Sequence, residues 1–247
     1  MQAQNNFKTI LITGASRGIG RETALAFARQ GWQLGLVSKT HIEDLKTVQQ
    51  ECLAYGSACE IYTGDVGDPD FVQEMFAAFL SRFGHLDVLV NNAGISYVGL
   101  LTDMSFSQWQ NVINTNLTSV FNTCHEAVPA MVREKQGCII NISSVWGNIG
   151  ASCEVAYSAS KGGVNSFTRA LAKELAPSNI RVNAISFGAI DTSMNQFLSP
   201  EDRLALEEEI PAGRFATPKE AAEMVYTIAT APTYLTGQII SFDGGWC

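Results

Sequence analysis

The chain has 247 residues, of which 46% are hydrophobic and 16% are charged, and its formal net charge is -8. This length suffices for one large α/β domain, and the composition excludes a disordered or highly charged tail protein. The acidic balance also argues against the dense basic surface that non-specific nucleic-acid binding needs, so we expect no nucleic-acid partner.

Short apolar runs alternate with longer amphipathic segments along the chain, and this alternation predicts the secondary structure. We predict strands at residues 8–13, 33–37, 58–63, 86–90, 138–142, 180–185 and 238–242. We predict helices at residues 18–30, 42–55, 69–83, 107–133 (bent near Pro129), 154–176, 200–209 and 218–230. The pattern is typical of a parallel sheet covered on both faces. We therefore expect one α/β domain over residues 1–247, a Rossmann-type doubly wound sheet of seven parallel strands.

A glycine-rich turn follows the first predicted strand, in the run TGASRGIG. Such a turn lets the backbone approach a pyrophosphate, which the N-terminus of the next helix then binds. The alternative is a tight strand–helix turn with no ligand. Its place at the first βα junction favours a dinucleotide site, with these candidate residues: Gly14, Ser16, Arg17, Gly18, Ile19 and Gly20.

The end of the second strand predicts which dinucleotide binds. An acidic residue there would favour NAD by accepting from the ribose 2′-hydroxyl, but the chain has Ser38 and Lys39. Together with Arg17 they could hold a 2′-phosphate, so we predict NADPH/NADP+ as the cofactor. The alternative is that both cations are solvated surface charges.

Two later turns carry further cofactor candidates. Asp65 and Val66 follow the third strand, where the adenine should lie. Asn92, Ala93 and Gly94 follow the fourth, where small residues permit close approach of the cofactor. Each run could equally be a simple turn after a strand.

The strongest chemical signal is Tyr157-x-x-x-Lys161, which predicts two side chains on one helix face. A lysine beside a tyrosine should stabilise the phenolate and lower the tyrosine pKa, which suits acid–base catalysis. Ser144, at the end of the fifth strand, could hold a substrate carbonyl. Its neighbour Ser143 is the rival, with a structural role expected.

These motifs resemble the short-chain dehydrogenase/reductase family over nearly the whole chain, from TGASRGIG through NNAG, NTN, ISS, YSASK and RVNAIS to FDGGW. The resemblance implies that Asn116 completes a catalytic tetrad with Ser144, Tyr157 and Lys161, and that Tyr157 and Lys161 also contact the cofactor. It implies a homotetramer and a nicotinamide site with these further residues: Gly188, Ile190, Asp191 and Thr192. The family usually has Pro-Gly after the sixth strand, whereas this chain has Phe187-Gly188.

The resemblance implies NADPH-dependent reduction of a ketone. It is nearest to bacterial 3-oxoacyl-[acyl-carrier-protein] reductases, and the run SSVWGNIGASCEVAYSASKGG resembles reductases of the 5-aminopentanone modification on elongation factor P. The substrate could therefore be carried on acyl carrier protein or on elongation factor P. A non-catalytic NADP-binding sensor is the alternative from another class.

We expect a lid over the substrate at residues 191–213, because loops at the carboxyl ends of parallel strands build the ligand crevice. Six dispersed cysteines and three isolated histidines predict reduced thiols and no metal site. No stretch reaches the roughly 18 apolar residues of a membrane span. Residues 1–6 also lack a signal-peptide pattern, so we expect a cytoplasmic protein with no membrane partner.

Overall fold

A computed structural model describes residues 7–195 and 198–247. Its seven strands form one all-parallel sheet in the order β3-β2-β1-β4-β5-β6-β7. The strands are β1 (Thr9–Thr13), β2 (Gln33–Ser38), β3 (Cys59–Thr63), β4 (Val88–Asn91), β5 (Gly137–Ser144), β6 (Ile180–Phe187) and β7 (Ile239–Phe242). The predicted fold class and all seven strands are confirmed.

Helices cover both faces of the sheet. They are α1 (Gly18–Ala28), α2 (Ile42–Ala54), α3 (Pro69–Phe83), α4 (Phe106–Ile113), α5 (Ser119–Glu134), α6 (Trp146–Ile149), α7 (Val155–Leu175), α8 (Pro200–Glu209) and α9 (Pro218–Thr230). The N-terminus of α9 shows how local side chains determine where a helix begins. Thr217 and Glu220 form a capping box there, and Pro218 occupies the first turn, where a backbone N–H has no intrahelical partner. None of the described helices is long and apolar enough to cross a membrane.

Successive side chains of each strand point to opposite faces of the sheet, so the core has two layers, one on each face. Ile10 and Ile12 of β1 point to one face, where they share a cluster with Phe27 of α1 and Val225 of α9. Leu11, between them, joins the cluster on the other face. Both faces are therefore apolar, which explains why the strands are continuous hydrophobic runs in the sequence.

The order of the strands places the functional crevice. Crossovers from β1 lead outward to β2 and β3, whereas β4 lies on the opposite side of β1 and the chain then continues through β5 to β7. The carboxyl ends of β1 and β4 therefore flank the point where the winding reverses. In open α/β sheets this switch point is where ligands bind.

The predicted helical region 107–133 is confirmed, but it contains a π-helical turn that the sequence analysis did not predict. A π-helical turn, Asn114–Thr118, separates α4 from α5, whereas α5 runs through Pro129. The turn centres on Asn116, which is almost fully buried. π-Turns inside α-helices are frequent at functional sites, which makes Asn116 a candidate functional residue.

Within the predicted lid, the structure describes residues 191–195 and 198–213; residues 196–197, with them Phe197, lie outside the described residues. Arg203 joins the start of this segment to α8, because it forms ion pairs with Asp191 at 2.9 Å and with Glu207 at 3.1 Å. Its guanidinium also lies 4.4 Å from the ring centre of Phe215. A lid function for this segment stays a prediction.

One buried arginine joins the sheet to α9. Arg181 of β6, 6% exposed, donates to the carbonyls of Ile228 and Ala229 at 2.9 and 2.7 Å. It thus donates to two carbonyls in the last turn of a helix, where only a long hydrogen bond from the Ala231 N–H to Ile228, at 3.4 Å, is otherwise present.

We expect Arg181→Met to lower the free energy of unfolding by about 2 kcal/mol, because it leaves both carbonyls buried without a charged donor. Denaturation in urea measures this, with the exposed Arg133→Met as the control. Equal stability of the two variants would contradict a structural role for Arg181.

Candidate active site

The glycine-rich turn after β1 leaves no room for larger side chains. A Cβ on Gly20 would lie 2.2 Å from the Gly14 carbonyl oxygen, and Gly14 and Gly18 have φ values of +65° and +56°. These conformations favour glycine, and they bring the backbone close to the first turn of α1. The turn therefore offers the exposed N–H groups that bind a phosphate.

Asn92 binds this turn to the end of β4. Its side-chain amide donates to the carbonyls of Thr13 and Gly14, both at 2.9 Å. The Thr13 hydroxyl in turn accepts from the backbone N–H groups of Asn92 and Ala93, both at 3.0 Å. Asn92 and Ala93 thus lie at the glycine turn, where the sequence predicted them.

The basic residues predicted to bind a 2′-phosphate lie at this end of the crevice. Arg17 is exposed immediately before α1, and the Ser38 hydroxyl donates to that of Ser16 at 3.2 Å. Lys39 pairs with Asp65 at 2.7 Å, which the sequence did not reveal. Partial burial alone would raise the pKa of Asp65, but hydrogen bonds from Lys39 and from the Gly67 N–H outweigh it and lower that pKa.

Asn116 reaches across the crevice from the π-turn. Its side chain accepts from the Ile95 N–H at 2.8 Å and donates to the Ile95 carbonyl at 2.9 Å and to Ser160 at 3.0 Å. A Cβ on Gly94 would fill the space 3.5 Å from both the Asn116 amide oxygen and the Lys161 ammonium. Glycine at 94 therefore leaves a cradle over these groups that fits a cofactor ribose.

Ser144, Tyr157 and Lys161 come together where β5 ends and α7 begins, and all three are nearly buried. The Lys161 ammonium donates to the Ile142 carbonyl at 2.8 Å and lies 5.6 Å from the centre of the Tyr157 ring. Ser144 accepts from the Trp146 N–H at 3.2 Å. Ser143 instead donates to Asn165 at 2.6 Å, as expected for a structural serine.

The protein environment raises the pKa of Tyr157 to about 12, mainly by burial; a hydrogen bond with Ser144 lowers it and the charge of Glu154 raises it. The lowering expected from Lys161 is not found, because its ammonium donates to the Ile142 carbonyl and, among the described residues, makes no hydrogen bond to the Tyr157 hydroxyl. Burial also lowers the pKa of Lys161 to about 8. The pair therefore holds a neutral tyrosine beside a lysine whose charge is lost in mildly alkaline solution.

The residues at the end of β6 and directly after it lie along the same crevice. Phe187, where the family usually has proline, is buried and packs edge-on against Phe242 with ring centres 5.6 Å apart. The next residue must be small, because a Cβ on Gly188 would lie 2.9 Å from the Asp243 backbone. Thr192 lies against Gly18, whereas Ile190 is buried and bridges to Ala216.

The sequence analysis missed two features of the crevice wall. Ser96 donates to the Glu154 carboxylate at 2.6 Å, which joins two loops far apart in the chain. Trp146, next to the serine pair, packs edge-on against Trp246 with ring centres 4.9 Å apart. Neither contact has a sequence pattern, since the partners belong to different loops. No cluster of three or more potential metal ligands occurs among the residues that the structure describes.

Comparison with known proteins agrees with this geometry. The family model for short chain dehydrogenases matches residues 8–203. The chain belongs to the short-chain dehydrogenase/reductase family.

Two relatives in this family differ in how they are named. The chain is 41% identical over 241 residues to the 3-oxoacyl-[acyl-carrier-protein] reductase FabG of Thermotoga maritima, covering 96% of this chain and 97% of the relative. It is 38% identical over 241 residues to the uncharacterized oxidoreductase YmfI of Bacillus subtilis, covering 97% and 98%. A crystal structure of a short-chain type dehydrogenase/reductase from Mycobacterium marinum aligns with a TM-score of 0.91 and 38% identity, covering 97% of this chain and 95% of that one.

We expect reductive turnover to fall as the pH rises through about 8, because the Lys161 ammonium then loses its proton while Tyr157 stays neutral. Above that pH, kcat/KM should decrease about tenfold per unit. In Lys161→Arg the guanidinium keeps its charge, so the smaller remaining activity should lack this decrease. Profiles of kcat/KM from pH 6 to 10 measure it, and the same decrease in both proteins would assign it to another group.

Proposed function

We propose that this chain is an NADPH-dependent carbonyl reductase that converts a ketone to a secondary alcohol. The observation that carries the proposal is the convergence of Ser144, Tyr157 and Lys161 at the end of the crevice that begins at the glycine turn. The alternative of a non-catalytic NADP-binding sensor gives no reason to bury an ammonium group beside a tyrosine. Burial of a charge is costly, and perturbed pKa values are characteristic of catalytic sites.

In this proposal each residue has a distinct task. Bound NADPH supplies the hydride to the carbonyl carbon. Ser144 and Tyr157 hydrogen-bond the carbonyl oxygen, and Tyr157 gives it a proton as the alcohol forms. The Lys161 charge stabilises the resulting phenolate, and Asn116 holds the loop at Ile95 and the first turn of α7 at Ser160.

For the substrate, two carried ketones remain candidates. The named relatives favour a 3-oxoacyl chain on acyl carrier protein. The second candidate, the 5-aminopentanone group on elongation factor P, is favoured by the Glu154 carboxylate near Tyr157, since a charged group there suits an amine better than an acyl chain. The homotetramer expected from the family stays a prediction, as does the lid.

The decisive test removes the proton donor. Tyr157→Phe should lower kcat by roughly 10²–10⁴-fold or more, with acetoacetyl-carrier protein or with aminopentanone-modified elongation factor P, while NADPH affinity stays near that of the parent. Ser144→Ala should lose less, because it removes one hydrogen bond and not the proton source. NADPH oxidation and NADPH binding measured side by side report both quantities. Near-normal turnover by the phenylalanine variant would exclude Tyr157 from this role.

Cofactor choice gives a separate test. The chain should have a higher kcat/KM with NADPH than with NADH, and Lys39→Asp should abolish or reverse that preference. An aspartate there would repel the 2′-phosphate and accept from a 2′-hydroxyl. Lys46→Asp, at an exposed lysine on α2 that also pairs with an acidic residue, is the matched control. Equal kcat/KM with both cofactors in the parent would refute the proposed specificity.

A further inference from the structure

Glu154 is a carboxylate in the wall of the crevice whose charge has no ion-pair partner among the described residues. It precedes the first residue of α7, but its side chain makes no capping hydrogen bond to that helix. It accepts instead from Ser96 at 2.6 Å. Among the described residues, no lysine, arginine or histidine lies within salt-bridge distance of it.

The Ser96 hydroxyl holds this carboxylate against the loop that follows β4, and the same loop lies over Lys161, since a Cβ on Gly94 would be 3.5 Å from its ammonium. Besides the Ser96 contact, the Gly99 N–H donates to the Cys153 carbonyl at 2.8 Å, so the loop after β4 is bound to the segment before α7 at two points. Glu154 directly precedes α7 and Tyr157 lies in the first turn of that helix, and the charge of Glu154 acts on the Tyr157 hydroxyl. The carboxylate is thus half-buried and held beside the proton donor.

This position opposes the reduction of a neutral ketone. The charge of Glu154 raises the pKa of Tyr157, and so disfavours the phenolate that forms when the proton leaves. Negative charge also develops on the substrate oxygen during hydride addition, close to the same carboxylate. A positive charge on the substrate would offset both effects, whereas an anionic group would add to them.

We propose that Glu154, oriented by Ser96, binds an ammonium group of the substrate and selects amino ketones over neutral ketones. A carboxylate offers about four acceptor positions, of which Ser96 uses one, so the remainder can accept from an N–H donor or face a quaternary cation. The substrate class is a ketone joined by a short carbon chain to an amine that is protonated at neutral pH. This inference rests on the proposed function and favours its second substrate candidate.

The test compares two ketones of the same shape, 5-(trimethylammonio)pentan-2-one and 6,6-dimethylheptan-2-one, which differ by one positive charge. We expect the parent protein to reduce the cationic ketone with a kcat/KM about tenfold or more above that of the neutral one. Glu154→Gln keeps the acceptor for Ser96 but loses the charge, and should bring this ratio near one. Ser96→Ala should reduce the ratio by a smaller factor. Glu60→Gln, a half-buried glutamate on β3, is the control and should preserve it.

Equal kcat/KM for the two ketones in the parent, or a ratio unchanged by Glu154→Gln, would overturn the inference. A second measurement separates failure of the inference from failure of the proposed function. Calorimetry measures the binding of both ketones to the NADPH-loaded Tyr157→Phe variant. If the parent reduces neither ketone, the proposed reaction is contradicted, but tighter binding of the cationic ketone that depends on Glu154 still supports the inference. Equal affinities would reject it.

Discussion

The reversal of winding between β1 and β4 is the constraint on which the rest of the site depends. The crossover after β1 leads to one side of the sheet and the crossover after β4 to the other, so a crevice is left between the carboxyl ends of these two parallel strands. Asn92 holds the two ends together through the Thr13 and Gly14 carbonyls. The close approach of Gly20 to Gly14 then aims the first turn of α1 into the crevice.

At the other end of the crevice, a strand, a helix and a π-turn position the four groups of the proposed catalytic site. Ser144 pairs with Phe187 at the last register position of β5 and β6, so the sheet fixes the position of Ser144 along the crevice. Tyr157 and Lys161 are held by the register of α7 against that strand, where Gly147 permits contact with the Lys161 backbone. Asn116 belongs to the π-turn between α4 and α5. Rigid elements thus position all four groups, as a site for chemistry requires.

Much of this could be predicted from the sequence because it is periodic or local. Apolar runs of the right length predict buried parallel strands, and the Tyr157–Lys161 spacing is a property of any helix. The π-turn could not be predicted, since its residues, NTNLT, include no glycine or proline that would mark a change in the helix. The pairing of Lys39 with Asp65 was also missed, because it joins two turns that only the β2–β3 pairing brings together. The Ser96–Glu154 contact was missed as well, because it joins two loops that are 58 residues apart in the chain.

The buried Lys161 ammonium has a consequence for the evolution of this fold. Lowering its pKa from 10.5 to about 8 means that, near neutral pH, the charged side chain costs the folded state on the order of 3 kcal/mol. The penalty is fully present below pH 8 and disappears as the pH rises toward the unfolded value. An apolar residue at this position would not carry this penalty, so selection for stability alone would remove the lysine. Its presence agrees with the role in turnover proposed for Lys161.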